Sequence, residues 1–285
     1  MTSSAPVLVH FDGPIATITL DRPEKLNTLN SPAYDALADA LVAANEHADT
    51  VVTLLQAHGR YFSAGTWVDG SSEAKKNQQQ GTKSFRRQQV ALNSQVTDIS
   101  RLLYVHRKIL VAVLNGPVMG VVAGFLGHFD FIYSAPGAWL AVPFTALGLV
   151  PEVGTSVTFP RRMGFAKATE ALVWGKKQSA EDLLAVGFVN KIFPPSAGLP
   201  KSATLAERTL DLHRQVREYL LDLLDPLDPR GVVETKQLIK DATNEQNNPD
   251  AANLRESSKT AELFVMGVPP KRFAEFARRE RRHRL

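Results

Sequence analysis

The chain has 285 residues, 44% of them hydrophobic and 22% charged, which is typical of a soluble globular protein that folds without covalent staples. It has no cysteine, which excludes a disulfide framework, a thiolate nucleophile and any Cys-ligated metal site. The formal net charge is +4, but residues 271–285 carry seven basic and two acidic side chains and supply +5, which leaves −1 for the rest. The basic charge is therefore confined to the tail, and nucleic acid is not a predicted partner.

The longest apolar stretch does not have the form of a membrane span. It runs over residues 109–127 and is interrupted by Asn115, Gly116 and Pro117, whereas a membrane helix needs about 20 unbroken apolar residues. The stretch therefore predicts a buried strand, a turn and a buried helix. The N-terminal residues lack a basic segment followed by an apolar one, so we expect no signal peptide.

Strand and helix patterns alternate along the first part of the chain. Two β-rich segments flank Asp12-Gly13-Pro14, which predicts a hairpin, and Ser31-Pro32 predicts the start of a helix. Residues 71–89 are polar and rich in Gln, which is typical of a mobile loop or a solvated helix. The predicted strands are 7–10, 15–20, 51–56, 109–114, 129–133 and 138–142, and predicted helices cover 90–105, 117–127, 155–165 and 166–174.

The pattern changes after Pro194-Pro195, because residues 201–283 are helix-like throughout. We therefore expect two units. Residues 1–200 form an α/β body that holds the functional site, and residues 201–285 form a C-terminal helical region.

Two turns that follow apolar strands are the main functional signal. One is Phe62-Ser63-Ala64-Gly65-Thr66, and the other runs over residues 115–121 with the sequence NGPVMGV. Small residues let other groups approach the backbone closely, and the first N–H groups of a helix point outward without partners. Two such turns side by side would direct two N–H donors at one developing negative charge, which is the geometry of an oxyanion hole.

These turns lie within a longer set of matching segments. The set comprises LDRPEKLNTLN at 20–30, RYFSAG at 60–65, ILVAVLNGPVMGVVAG at 109–124, LGLVPEVGTSVTFPRRMG at 147–164 and AEDLLAVGFVNKIFP at 180–194. In order and spacing it resembles the enoyl-CoA hydratase/isomerase (crotonase) superfamily, and most closely the Δ3,Δ2-enoyl-CoA isomerases of fungal peroxisomes.

The resemblance implies an α/β fold, a crotonase-type spiral of ββα turns, followed by C-terminal helices that build a homotrimer or a dimer of trimers. It implies an acyl-CoA substrate whose thioester oxygen lies between the backbone N–H groups of Thr66 and Val121. Coenzyme A is then part of the substrate, so no separate cofactor is expected, and the histidine spacing supports no metal site. The positions implied along the coenzyme A and thioester path are Lys25, Leu26, Ala64, Gly65, Thr66, Trp67, Val68 and Val121.

The acyl pocket decides the reaction. By resemblance, hydratases carry two glutamates at the positions of Gly124 and Phe144, so hydration is not expected. Glu152 resembles the single catalytic glutamate of Δ3,Δ2-enoyl-CoA isomerases, which moves a proton from C2 to C4 of the acyl chain during fatty acid β-oxidation. Its apolar neighbours predict a raised pKa for the Glu152 carboxyl. The alternative is that Glu152 only begins a helix near Gly154.

Asn93 is a further candidate, since it resembles an asparagine that orients the catalytic glutamate in the fungal enzymes; a solvated helix asparagine is the alternative. The chain also departs from the family pattern. Trp67 stands where many members have Asp, and Val153 replaces a common glycine.

The sequence ends in His283-Arg284-Leu285, which resembles the peroxisomal address typified by S-K-L. We therefore expect a peroxisomal matrix protein that is recognised by an import receptor.

Two other functions stay open from the sequence. One is a dienoyl-CoA isomerase or another acyl-CoA enzyme of the same superfamily, although the first of these usually recruits a second acid in the pocket, where Gly124 stands. The other is a non-catalytic protein of this fold that binds RNA or a partner through its basic tail.

Overall fold

The computed structural model describes residues 5–67, 93–244 and 247–278 of the chain, with side chains from residue 95 onward in the second range. Within these ranges, no helix is long and apolar enough to cross a membrane.

The larger sheet is mixed and has six strands in the order β1-β2-β3-β4-β6-β9. Its first two strands form the predicted antiparallel hairpin, and β2, β3, β4, β6 and β9 run parallel to one another. Their bounds are β1 Val7–Asp12, β2 Ile15–Leu20, β3 Val52–Ala57, β4 Ile109–Leu114, β6 Phe131–Ser134 and β9 Lys191–Ile192. A smaller sheet joins β5 Val118–Met119, β7 Trp139–Ala141 and β8 Gln178–Ser179 in the order β5-β7-β8.

Ten α-helices lie within the described ranges. They are α1 Ser31–Glu46, α2 Asp98–Val105, α3 Gly120–Phe125, α4 Thr155–Met163, α5 Phe165–Val173, α6 Ala180–Ala185, α7 Leu205–Leu224, α8 Pro229–Asn244, α9 Pro249–Val265 and α10 Val268–Ala277. A π-helical turn at Asn93–Thr97 leads into α2.

The central strands are continuous apolar runs because they are covered on both faces. In β4, the sequence ILVAVL alternates between two cores: Leu110, Ala112 and Leu114 face one, whereas Val111 and Val113 face the other. The first core packs against α1, and the second packs against Leu212, Val216 and Leu220 of α7. A parallel sheet buried in this way places the loops after its strands on one side, where the two predicted turns lie.

The structure corrects several predicted bounds. The helix expected from 117 begins only at Gly120, because Val118–Met119 first pairs with β7 as a short strand. Asn30, and not Ser31, caps α1, through a side-chain oxygen that accepts from the Ala33 N–H. Gly164, at a φ of 75°, separates α4 from α5.

The C-terminal helices return to the body. Helix α9 packs on α4 and α2, and α10 packs on the 3₁₀ turn Thr145–Leu147. All the described strands end by Ile192, and the described elements from Leu205 onward are helices. The division into two domains at residue 200 stays a prediction.

Asn27 fixes the loop between β2 and α1 to the turn after β3. It is buried, it has a φ of 52°, and its Nδ2 donates to the carbonyls of His58 at 2.8 Å and Tyr61 at 2.9 Å. Its Oδ1 accepts from the Arg22 N–H at 2.8 Å, and its own carbonyl accepts from the Ser63 hydroxyl at 2.7 Å. Asparagine suits this position because it tolerates the left-handed region and supplies both donors and acceptors.

We therefore expect Asn27→Ala to lower the free energy of unfolding by about 2–4 kcal/mol, because buried carbonyl and amide groups lose their partners. Denaturant unfolding measures the effect. The exposed Asn247→Ala serves as the control and should change stability by less than about 0.5 kcal/mol. Equal stability of both variants would contradict the role of Asn27.

Candidate active site

The two glycine-containing turns lie side by side. Ser63 and Val118 form a parallel bridge, in which the Met119 N–H donates to the Ser63 carbonyl at 2.9 Å. Gly65 has a φ of 90° and Gly120 a φ of 60°, and a Cβ on Gly65 would stand 3.1 Å from the Met119 carbonyl oxygen. Glycine is therefore required where the turns touch.

Each turn presents one backbone N–H. On either side of Thr66, the Leu29 N–H donates to the Gly65 carbonyl and the Trp67 N–H donates to the Leu29 carbonyl, both at 2.8 Å. The Thr66 N–H makes no bond to any residue that the structure describes. Val121 is the second residue of α3, where backbone N–H groups lack intrahelical acceptors. The two turns are adjacent, and convergence of the Thr66 and Val121 N–H groups in an oxyanion hole stays a prediction.

Tyr34 bonds to the first turn. Its hydroxyl lies 2.7 Å from the Thr66 hydroxyl oxygen, and its side chain is buried. Burial raises the Tyr34 pKa above its ordinary value; the hydrogen bond to Thr66 acts against this rise, and the negative charge of Glu152 adds to it. The phenol therefore stays protonated beside Thr66.

Glu152 lies between Pro151 and the start of α4. Protein surrounds its carboxyl, yet part of the residue stays accessible to solvent, as a base that must meet a substrate requires. Burial raises the pKa of this carboxyl to about 7; the neighbouring carboxylate of Glu256 adds to the rise, and the Thr260 hydroxyl opposes it. A base with this pKa is ionised and still basic near neutral pH.

The backbone after Glu152 is left-handed at two residues in succession. Val153 has a φ of 57° and Gly154 a φ of 77°. A β-branched residue in this region is strained, so other contacts must hold it. The Nε2–H of His128 donates to the Val153 carbonyl at 2.8 Å, and the Thr155 hydroxyl donates to the Glu152 carbonyl at 2.7 Å.

A second carboxylate, that of Glu256 on α9, lies beside the same loop. It accepts hydrogen bonds from the Gly154 N–H at 2.6 Å and the Ser156 N–H at 2.9 Å, and from the Ser156 hydroxyl. Desolvation raises the Glu256 pKa, and these bonds act against the rise.

The positions of the hydratase glutamates offer no acid. Phe144 is buried in the core, and a Cβ on Gly124 would stand 2.6 Å from the Val153 Cγ2 and 3.2 Å from the Thr155 Cγ2. Gly124 thus has no room for any side chain in this arrangement. The same contacts place α3, which carries Val121, directly against the Glu152 loop. The loop that carries Glu152 is therefore packed on the helix that follows the second turn.

The predicted coenzyme A residues lie together on the surface next to the first turn. The Ala64 N–H donates to the Leu26 carbonyl at 2.9 Å, and the Lys25 ammonium lies 5.1 Å from the centre of the Trp67 ring. Lys25 and Trp67 are exposed, so both are accessible to a ligand. Val68 lies outside the described residues.

Three other predictions cannot be compared in full. The backbone of Asn93 begins the π-helical turn, but its side chain lies outside the described part of the chain, as do the polar segment 71–89 and the tripeptide 283–285. Within the described part, no group of three His, Asp or Glu side chains is arranged to hold a metal ion.

The sequence alone does not identify Tyr34, His128 and Glu256 as site residues. Tyr34 has the pattern of a core aromatic residue on α1, and its hydrogen bond is to a residue 32 positions away. The face of α9 did carry a signal. The buried residues Asn253, Glu256, Ser257 and Thr260 recur at helical spacing, which indicates a helix that docks on polar groups rather than on a core.

Comparisons with known proteins agree with this geometry. A model of the enoyl-CoA hydratase/isomerase family matches residues 10–261. A Delta(3,5)-Delta(2,4)-dienoyl-CoA isomerase of Pyricularia oryzae is 36% identical, over 99% of this chain and 100% of that protein. A 3,2-trans-enoyl-CoA isomerase of Saccharomyces cerevisiae is 30% identical, over 96% of this chain and 95% of that protein.

The fold is also found among solved structures. The crystal structure of an enoyl-CoA hydratase/isomerase from Pseudoalteromonas atlantica superposes with a TM-score of 0.76 at 26% identity, covering 98% of this chain and 99% of that chain. The predicted crotonase-type α/β fold with C-terminal helices is therefore confirmed.

The contact between Gly124 and Val153 yields a prediction. A helical Gly→Ala change normally stabilises by about 0.5–1 kcal/mol, but here the new methyl group meets a buried, stiff side chain. We expect Gly124→Ala to destabilise by about 1–3 kcal/mol, as overpacking does, and Gly124→Ala/Val153→Ala to recover part of the loss.

Thermal unfolding of both variants checks this expectation. Gly198→Ala is the matched control, because a Cβ there meets open space. Stabilisation by Gly124→Ala alone would show that the site has room at this position.

Proposed function

The chain belongs to the enoyl-CoA hydratase/isomerase family, and from this premise we propose that it is a Δ3,Δ2-enoyl-CoA isomerase that uses Glu152 as its general base. Its named relatives are enoyl-CoA isomerases, and the chain is accordingly an enzyme of the isomerase class. The substrate we propose is a 3-enoyl-CoA and the product a trans-2-enoyl-CoA.

One observation carries the proposal. A carboxyl with a pKa of about 7 is carried by a loop that packs on α3, the helix of Val121, and the hydratase positions Gly124 and Phe144 hold no acid. Hydration needs groups that position and deprotonate a water molecule. A double-bond shift needs only one base that removes a proton and returns it elsewhere.

The proposed reaction begins with proton transfer from C2 of the acyl chain to the ionised Glu152. The C2–H electron pair moves into the conjugated system, and the resulting dienolate carries its negative charge on the thioester oxygen. The N–H groups of Thr66 and Val121 stabilise that charge; the loss of one such donor typically costs about 2.7–4 kcal/mol. Glu152 then returns the proton to C4, which leaves the double bond between C2 and C3 and no net change in protons or electrons.

Tyr34 and Lys25 support this chemistry in different ways. The Tyr34 phenol stays protonated beside Thr66 and orders that turn through its hydrogen bond. Lys25 and Trp67 form an exposed surface beside Ala64, where a cationic group and an aromatic ring suit the phosphates and adenine of coenzyme A.

A dienoyl-CoA isomerase is the second candidate, and a specific observation favours it. The Pyricularia oryzae relative of that name is 36% identical over the full length, and Glu256 is a second carboxylate close to Glu152. Against this role, both Glu256 oxygens already accept hydrogen bonds from the loop. Rates for matched 3-enoyl-CoA and 3,5-dienoyl-CoA substrates of equal chain length decide between the two activities.

The peroxisomal compartment, the import receptor and the trimer or hexamer stay predictions. The isomerase relatives argue against the alternative of a non-catalytic protein that binds RNA or a partner through its basic tail, and isomerase activity of the purified chain would exclude that alternative.

The pKa of Glu152 predicts a pH profile. Because only the ionised carboxylate removes a proton, kcat/KM for the 3-enoyl-CoA should fall about tenfold per pH unit below pH 7 and level off above it. Steady-state kinetics between pH 5 and 9 measure the profile. A limb near the ordinary carboxyl pKa of about 4.5 would contradict the proposed environment of Glu152.

Replacement of the base gives a second prediction. Glu152→Gln should lower the isomerisation rate by about 10²–10⁴-fold, since the amide cannot accept the proton. Glu234→Gln, an exposed change on α8, should keep the wild-type rate. A near-wild-type rate in Glu152→Gln would exclude this residue as the base.

The same variant has a stability signature that shows it is folded. In the wild type, the Glu152 carboxyl has a pKa of about 4.5 in the unfolded state and about 7 in the folded state, so it lowers the free energy of unfolding as the pH rises through that range. The amide of Glu152→Gln does not titrate, so this variant does not lose stability in this way. Its melting temperature relative to wild type should therefore increase over that pH window and stay constant above it.

A further inference from the structure

Glu256 is brought to the active-site loop from a distant part of the chain. It lies in the middle of α9, it is 7% exposed, and its hydrogen-bond partners at Gly154 and Ser156 are 102 and 100 residues earlier. No other acidic side chain on α9 is buried; Asp250 pairs with Arg101 and Glu262 with Lys259 at the surface. The burial of Glu256 is thus specific to the contact with the loop.

The rest of the α9 face holds the helix in register with the body. The Asn253 Nδ2 donates to the Thr97 carbonyl at 3.3 Å, and the Thr97 hydroxyl donates to the Ser257 hydroxyl oxygen at 3.3 Å. Thr260, one turn beyond Glu256, is fully buried on the same face. Consecutive turns of α9 therefore contact the segment before α2 and the loop that carries Glu152.

Glu256 supplies the hydrogen-bond acceptor that is missing at the N-terminus of helix α4. Gly154 stands at its N-cap position and has no side chain to accept from the first N–H groups of the helix. Glu256 accepts from Gly154 and Ser156 instead, and its negative charge also interacts favourably with the N-terminal end of the helix dipole. The contact fixes Gly154 and Ser156 shortly after Val153, so it limits how the strained loop can relax.

The contact also places the buried Glu256 carboxylate beside the loop that carries the Glu152 carboxyl. Two like charges at short range disfavour ionisation of the pair, which is a cost that a purely structural cap would avoid with a neutral acceptor such as Asn or Gln. The chain keeps a carboxylate at this position.

We infer that Glu256 is a positioning residue for the isomerase reaction: from the C-terminal helix, it holds the Glu152 loop in its left-handed form and sets the charge that Glu152 faces. This inference rests on the proposed function, in which Glu152 is the base. It assigns Glu256 no proton transfer, because each of its oxygens is already an acceptor for the loop.

Charged and titratable groups on each neighbouring element affect how Glu152 and Glu256 titrate. From α1, the Tyr34 phenol faces Glu152 and stays protonated. From the turn before β6, His128 bonds to the loop and stays neutral above about pH 4, because burial lowers its pKa. From α9, Arg255 lowers the Glu256 pKa. Within the described residues, Glu256 is thus the one group in this set whose negative charge raises the Glu152 pKa.

Two variants separate geometry from charge. Glu256→Gln removes the negative charge and one of the two acceptor oxygens. We expect kcat to fall by about tenfold or more, and the acid limb of kcat/KM to move to lower pH by about one unit, since Glu152 no longer faces a carboxylate. Glu256→Asp keeps the charge on a side chain that is one methylene shorter. We expect a similar fall in kcat with the limb close to its wild-type position.

Glu262→Gln is the matched control on the same helix, where the side chain is exposed and pairs only with Lys259. It should leave kcat and the limb unchanged. Hydrogen exchange of peptides that cover residues 150–160 adds a readout independent of catalysis. Exchange at 154–156 should be faster in both Glu256 variants, whereas Glu262→Gln should exchange like the wild type.

The outcomes are distinguishable. Unchanged kcat and limb in both Glu256 variants overturn the inference, even if their melting temperatures fall, because Glu256 would then be only a structural cap. If Glu256→Gln does not fold, the kcat of Glu256→Asp and the acid limb of its kcat/KM profile decide whether the inference holds. An inactive wild-type chain overturns the proposed function instead; in that case, exchange at 154–156 alone decides whether Glu256 holds the loop.

Discussion

The left-handed backbone at Val153 and Gly154 is the constraint on which the site depends. A β-branched residue at positive φ costs on the order of 1–3 kcal/mol and persists only where its surroundings hold it. Here His128 bonds to the Val153 carbonyl, Glu256 bonds to the Gly154 N–H, and the Val153 side chain fills the space over Gly124. The loop that carries Glu152 is thus defined by three separate segments of the chain and not by its own sequence.

The electrostatics of the site follow from the same arrangement. The strained loop keeps the Glu152 carboxyl inside the protein, where desolvation and the Glu256 charge raise its pKa. Burial of the Glu152 carboxylate lowers the stability of the folded state, and the same burial raises its pKa to a value suited to a base at neutral pH. Helices α4 and α9 pack on each other, so the C-terminal region contributes to the chemistry and not only to the surface.

Local patterns predicted the framework because they depend on neighbours in sequence. The hairpin, the strands β3 and β4, the helical C-terminal region and the two glycine turns all follow from apolar runs and turn residues. Strand β5 was missed because two residues carry no periodicity, and only pairing with β7 makes them a strand. Glu152 was found by resemblance of its segment, and its raised pKa by its apolar neighbours.

The remaining site residues depend on contacts that sequence spacing does not encode. From the sequence, Tyr34 resembles any core aromatic residue, and Glu256 resembles any glutamate on a helix. Their roles depend on contacts that are distant in sequence: the Tyr34 hydroxyl lies 2.7 Å from the Thr66 hydroxyl oxygen, and Glu256 bonds to Ser156, which is 100 residues earlier. Tyr34 lies in the apolar stripe of α1, which packs on a core, whereas Glu256 lies in a polar series on α9. The polar series indicates that α9 docks on polar groups, but it does not identify them.

The contact between Gly124 and Val153 has a consequence for how activities diverge within this family. The resemblance implies that hydratases carry a glutamate at position 124 and that a glycine is common at position 153. In this chain, the Val153 methyl group occupies the space that the first side-chain atom at 124 would take. A glutamate at position 124 therefore fits only if Val153 moves or is replaced by a smaller residue. We expect the two positions to be coupled, so that a change at one alters which residues the other tolerates.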